Sequence, residues 1–280
     1  MSLQQEFINE LLSDLKNDKL VLPTLPEVAL KVRDTLEDDN ASLIDVARVV
    51  TSDTALSARL IQVANSPLLR ANRQIETVEA AVTRMGSNMV RNLVTSIAME
   101  QMFQATSDIT DKRLRNLWEH STEVAAISSA LAHTQSGLQP DHALLAGLVH
   151  DIGALPILSR VEDYPELLED EPTLDTIIAT AHPKLGEAIL RAWNFPDDIV
   201  AVAADHENLE RDHDGPADYT DLIIVANLQS LLGTDHPHTK LDWNKVPAFG
   251  KLGLEPDVSI VDIEVGQNVE AVKAALSTGG

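Results

Sequence analysis

Five side chains in the middle of this 280-residue chain have the chemistry of a metal site. They are His120 in LWEHSTEVA, the adjacent pair His150 and Asp151 in GLVHDIGALPIL, His182 in AHPKLGEAIL and His206 in AADHENLE. Imidazoles and carboxylates together suit Zn, Fe or Mn, and successive helices can bring such donors to one point. Neighbouring residues on a helix point about 100° apart, so a site shared by His150 and Asp151 must sit over the boundary between them. A histidine on an apolar helix face is also commonly a hydrogen-bonded core residue, and spacing alone leaves both readings open. The absence of cysteine removes disulfides, thiolate nucleophiles and Cys-ligated zinc.

The elements that must position these residues read as helices from end to end, which predicts an all-α fold. Val28, Val32 and Leu36 recur at helical spacing after Pro26, and Ser42, Asp53, Thr77 and Asp218 each stand where an N-cap is expected. Asp141 is read as the cap of HALLAGLVHDIGALPIL, and Pro183 and Pro196 as helix starts. Ser107–Arg113 and Glu207–Ala217 read as surface connections, and VGQNVEAVKAALS as one last helix. The unit broken by Gly86 can be read as a DNA-binding helix-turn-helix, but its second helix has few cations, which favours a packing role.

Composition narrows the partners. Twenty-one Lys and Arg against 44 Asp and Glu leave a formal charge of −23, and aromatics are only 3%. Both work against direct nucleic-acid binding and against docking to an anionic membrane. The N-terminus lacks a secretory pattern and no 18-residue uninterrupted apolar run occurs, so a cytoplasmic protein is expected.

Taken in order, His120, His150-Asp151, His182 and His206 resemble the motif skeleton of the HD superfamily of metal-dependent phosphohydrolases. The wider chain resembles the HDOD family, an HD-related output domain of bacterial signalling proteins. That likeness runs through LPTLPEVALKV (Leu22–Val32), ALSARLIQVANSPLL (Ala55–Leu69), VEAAVTRMG (Val78–Gly86), LLAGLVHDIG (Leu144–Gly153), GEAILRAWNFPDDIVAVAADHE (Gly186–Glu207) and PAFGKLGL (Pro247–Leu254). It implies a helical extension over 1–17, an N-terminal helical lobe over 18–108, an HD-like lobe over 109–235 and a C-terminal extension over 236–280 packing on the domain.

The resemblance also implies a metal at His120, His150, Asp151, His182 and His206, with Asp151 the one candidate catalytic group, and Asp205 and Asn227 as weaker ligands. Two departures bear on activity. Asn227 stands where an active HD site has its last Asp, and an amide is a poorer ligand than a carboxylate. Asp205 stands where the related cyclic-dinucleotide phosphodiesterases have the first of two histidines, and their Gly-Tyr-Pro element is missing, Asp214-Gly215-Pro216 being the nearest fragment. The expected function is therefore a regulator acting on other signalling proteins through its N-terminal lobe, with a degenerate metal site partly loaded or empty. The alternative is a working metal-dependent phosphohydrolase. Lys184 and Arg191 are read as solvated, Gly153 as a bend or a close backbone approach, and His133, His142, His213, His236 and His238 as surface or local contacts.

Overall fold

A computed structural model describes residues 2–38, 40–66, 69, 74–103, 108–256, 269 and 273. Among these the secondary structure is helical throughout, with no strand. The helices are α1 (Leu3–Lys16), α2 (Glu27–Glu37), α3 (Leu43–Thr51), α4 (Thr54–Ala64), α5 (Val78–Glu100), α6 (Asp108–Ala132), α7 (Pro140–Val149), α8 (Ala154–Val161), α9 (Pro165–Glu169), α10 (Glu171–Ala192), α11 (Asp197–Asp205), α12 (Tyr219–Ser230) and α13 (Pro247–Leu252). Two 3₁₀ turns, Pro237–Lys240 and Trp243–Lys245, lie between α12 and α13.

Local chemistry starts these helices where the sequence places the caps. Ser42 with Asp45 and Asp218 with Asp221 form reciprocal capping boxes, and Asp53 and Thr77 accept from the third residue of their helices. Gly86 breaks α5 with φ 76° and ψ 170°, a backbone that only glycine adopts readily. The second half of α5 turns Val90, Leu93 and Val94 inward and packs on α7. That is the packing use of the helix–glycine–helix unit.

Burial overrides local signals in three places. Pro183 lies inside α10 rather than at its start, because Leu174, Ile177, Ala181, Leu185 and Ile189 form one buried stripe across it. That stripe offsets a proline penalty of roughly 3 kcal/mol. Gln139 rather than Asp141 caps α7, with Pro140 in the first turn. Residues 108–113, expected as a connection, are the first turns of α6, where Arg113 reaches Asp175 at 2.7 Å. Only residues 269 and 273 of the expected last helix are described, and both are helical.

Helices α2–α4 pack around α5, and α6, α7, α10, α11 and α12 pack around one another, all sharing one apolar cluster. Trp193 joins the two groups: its Nε1 donates to the Pro23 carbonyl at 2.9 Å, and Arg33 donates to its own carbonyl at 2.8 Å. Pro140–Val161 is long and apolar enough to cross a membrane by composition, but it comprises α7 and α8, and 83% of its apolar window is buried in the protein. It is the central core.

Candidate metal centre

Four helices deliver the five donors. His120 lies on α6, His150 caps the C-terminus of α7 with Asp151 after it, His182 lies on α10, and His206 caps the C-terminus of α11. Two helix C-termini therefore face the cluster, and their partial negative charge favours a cation there. Gly153 lets α10 come close: a Cβ on it would lie 1.9 Å from the His182 carbonyl oxygen. Close backbone approach is thus what this glycine provides.

Asp151 is the hub. Its Oδ1 lies 3.2 Å from His182 Nε2 and 3.2 Å from His206 Nε2, and its Oδ2 lies 3.3 Å from His150 Nε2 and 3.7 Å from His120 Nε2. The donors thus fall into two groups that share Asp151, His120 with His150 on one side and His182 with His206 on the other. His150 and His206 are fully buried and His182 almost so.

The opposite ring nitrogens orient the set. His150 Nδ1 donates to the Gly147 carbonyl at 2.6 Å, His182 Nδ1 to Ile178 at 2.8 Å and His206 Nδ1 to Val202 at 3.0 Å. His120 Nδ1 faces Ser230 Oγ at 3.5 Å. A carbonyl only accepts, so each Nδ1 facing one carries the proton, and a neutral ring turns its Nε2 lone pair to the centre. Burial drives the His150 pKa down to about 3, against the pull of Asp151, so this ring is neutral at ordinary pH. Burial works to raise the Asp151 carboxyl, but His150, His182 and His206 around it hold it well below the usual carboxylate range. Burial alone would lower His182; its hydrogen bond to Asp151 leaves it raised. His150 Nε2 is buried with no hydrogen-bond partner. A buried, orphaned lone pair beside an ionised carboxylate fits a divalent cation.

A cavity of about 760 Å³ opens onto this cluster, and Asn227, His120, Asp151 and His182 line it. Asn227 is buried in the wall of that cavity. Asp205 does not join: its carboxylate pairs with Arg211 Nε at 3.1 Å. Three residues that the sequence analysis placed in a surface connection or among local contacts, Glu207, His236 and His238, lie beside the cluster. Glu207 Oε1 lies 3.6 Å from His206 Nε2, and its Oε2 lies 3.8 Å from His238 Nε2. His236 lines the same cavity and stacks edge-on to His238 with centroids 4.7 Å apart. The 3₁₀ turn at 237–240 brings His236 to the cavity and His238 to Glu207, and a turn of that kind leaves no periodic trace in sequence. Lys184 and Arg191 are exposed, as read, with Arg191 paired to Glu187.

The family model of the HDOD domain matches residues 22–209, about two-thirds of the chain. The chain is a member of the HDOD family. A crystal structure from Shewanella amazonensis SB2B, by name a candidate metal-dependent phosphohydrolase, is 32% identical with a TM-score of 0.87, covering 99% of this chain and 100% of that one. A Marinobacter aquaeolei VT8 structure, by name a candidate signal transduction protein, is 21% identical with a TM-score of 0.63, covering 99% of this chain and 67% of that one; it shows the shared fold. An uncharacterized protein of Treponema pallidum (strain Nichols) is 27% identical over 227 residues, 75% of this chain, and the chain spans 42% of that relative's length. The HDOD match ends at 209, before the Pro247–Leu254 stretch.

Proposed function

We propose that this HDOD protein is a signalling regulator that docks other proteins and holds a transition metal in a site with little or no hydrolytic turnover. The observation that carries this reading is the pairing of a preorganised Nε2 cluster around Asp151 with an amide, Asn227, in the cavity wall. His120, His150, Asp151, His182 and His206 would hold the metal, and their donor types suit Fe, Zn or Mn. A metal there supplies Lewis-acid polarisation of a phosphoryl oxygen and acidification of water. The chain's own contribution is orientation: Gly147, Ile178 and Val202 fix three rings through their carbonyls. Missing the anionic ligand that Asn227 replaces impairs a second metal more than the first, since an amide carries no charge to offset a second cation. Docking through the N-terminal helices is supported by two large apolar side chains left exposed there, Val21 at 88% and Ile44 at 56%.

Hydrolysis of phosphoesters is the second reading, favoured by Glu207, a carboxylate beside His206 that the HD pattern does not require. One experiment separates them. Metal content is measured on purified parent and Asn227→Asp, and both are assayed with Mn, Fe and Zn on phosphomonoesters, nucleotides and cyclic dinucleotides. The regulator reading expects one metal or less in the parent, more in Asn227→Asp, and turnover in the variant alone if anywhere. Robust turnover by the parent, abolished by His150→Ala, overturns it.

A further inference from the structure

A second cavity, of about 620 Å³, lies between the N-terminal helices and the second group, at the far ends of the helices that build the metal centre. Helix α7 lines it with Asp141 and His142 and carries His150 at its other end; α11 lines it with Asp198 and ends in His206. Tyr219, the first residue of α12, also lines it, and the same helix carries Asn227 two turns further on. Ten residues of α7 place the two sites roughly 15 Å apart.

The wall from the N-terminal group sets Val63, Met85, Met89 and Leu93 beside Asn88 and Asn92, and Leu144 of α7 also lines the cavity. Into this wall is set Arg91. Every other described arginine has a partner: Arg33 and Arg84 on carbonyls, and Arg48, Arg59, Arg113, Arg115, Arg160, Arg191 and Arg211 on carboxylates. Arg91 has none, and its Nε is buried without a hydrogen bond. In a chain with 44 acidic residues against 21 basic, an unpaired half-buried guanidinium is a conspicuous exception. The two carboxylates of the cavity are held by neighbours in its own wall rather than by Arg91, Asp141 by Asn92 at 3.2 Å and Asp198 by His142 at 3.0 Å. Both also sit in the first turns of α7 and α11, where the helix ends offset their charge.

We propose that this cavity is an effector site for a small amphiphilic organic anion, its carboxylate or phosphate on Arg91 and its apolar body against Met85, Met89 and Leu144. The volume falls within the range of small-molecule pockets, about 300–1,000 Å³, and apolar side chains with a few placed polar and charged groups are their usual chemistry. A guanidinium takes either anion in a bidentate grip. Because the cavity is walled by both helix groups, occupancy bears on how they sit together and reaches the metal centre through α7 and α11. Binding itself requires no metal.

The test uses 1-anilinonaphthalene-8-sulfonate, a fluorescent apolar anion, titrated into the full chain after chelation. Saturable binding at one site per chain is expected. Arg91→Gln, which removes no existing contact, should weaken it at least tenfold with an unchanged melting temperature, and Met89→Trp should fill the cavity and abolish it. His150→Ala should leave it unaltered, which separates this site from the metal centre. Displacement by phenylacetate or by phenyl phosphate then distinguishes a carboxylate from a phosphate ligand. No saturable binding, or binding indifferent to both Arg91→Gln and Met89→Trp, overturns the proposal.

Discussion

Two clusters of histidine and aspartate lie close together in this protein, and they solve the same electrostatic problem differently. Around Asp221, fully buried at the start of α12, the cation is part of the chain: Arg211 reaches Asp221 at 2.8 Å, Asp218 at 2.6 Å and Asp205 at 3.1 Å, and His213 adds a contact to Asp221 at 2.8 Å. Around Asp151, among the described residues, no arginine or lysine pairs with the carboxylate; four imidazoles face it, and one Nε2 is orphaned. Donor types are alike, and both groups are spaced tightly enough to hold an ion. A guanidinium cannot shed its charge, whereas an imidazole can. The first cluster is therefore closed, and the second keeps imidazole nitrogens that can give up their protons to a cation beside an ionised carboxylate.

The largest effect should come from breaking the geometry of the second cluster. Gly153→Ala puts a Cβ 1.9 Å from the His182 carbonyl, so α10 must move. Chemical denaturation should show a loss of about 3–5 kcal/mol or more, the range of severe strain, together with lost metal binding.

Removing the two hub carboxylates should then separate the clusters. Asp221→Ala leaves Arg211 and His213 without a buried partner and should cost about 2–4 kcal/mol. Asp151→Ala, measured in chelator, should cost far less, because its histidines can deprotonate. Equal losses in the two variants would show that the Asp151 cluster is as closed as the other.

Metal provides a smaller and reversible contrast. At a hundredfold excess over its dissociation constant, Mn, Fe or Zn should stabilise the parent by about 2.7 kcal/mol, read as a melting shift of several degrees. Asp151→Ala should abolish that shift and His213→Gln should leave it intact.

The smallest effect is a pH dependence in the closed cluster. The hydrogen bond to Asp221 raises the His213 pKa. A raised folded-state pKa gives stability that is fully present below the ordinary histidine value, about 6.5, and is lost as pH rises through the folded value. The melting-temperature gap between parent and His213→Gln should thus be wider at pH 6 than at pH 9.

The sequence by itself determined most of the helical plan, because caps and apolar periodicity act within a few residues. Ser42, Asp53, Thr77 and Asp218 start their helices, and Gly86 breaks α5. That His120, His150, Asp151, His182 and His206 meet was legible through the resemblance to the HD motif order, although the identity of the hub and the two-sided grouping were not. Tertiary structure decided what depends on distant partners. Burial kept Pro183 inside α10, and Arg211 drew Asp205 away from the centre. A short 3₁₀ turn carried His236 to the cavity and His238 to Glu207. Nothing in the sequence marks Arg91, and the packing of α5 against α7 leaves it unpaired in a cavity. A local pattern can announce a helix, but whether a charge finds its counter-charge is settled by which helices come to lie side by side.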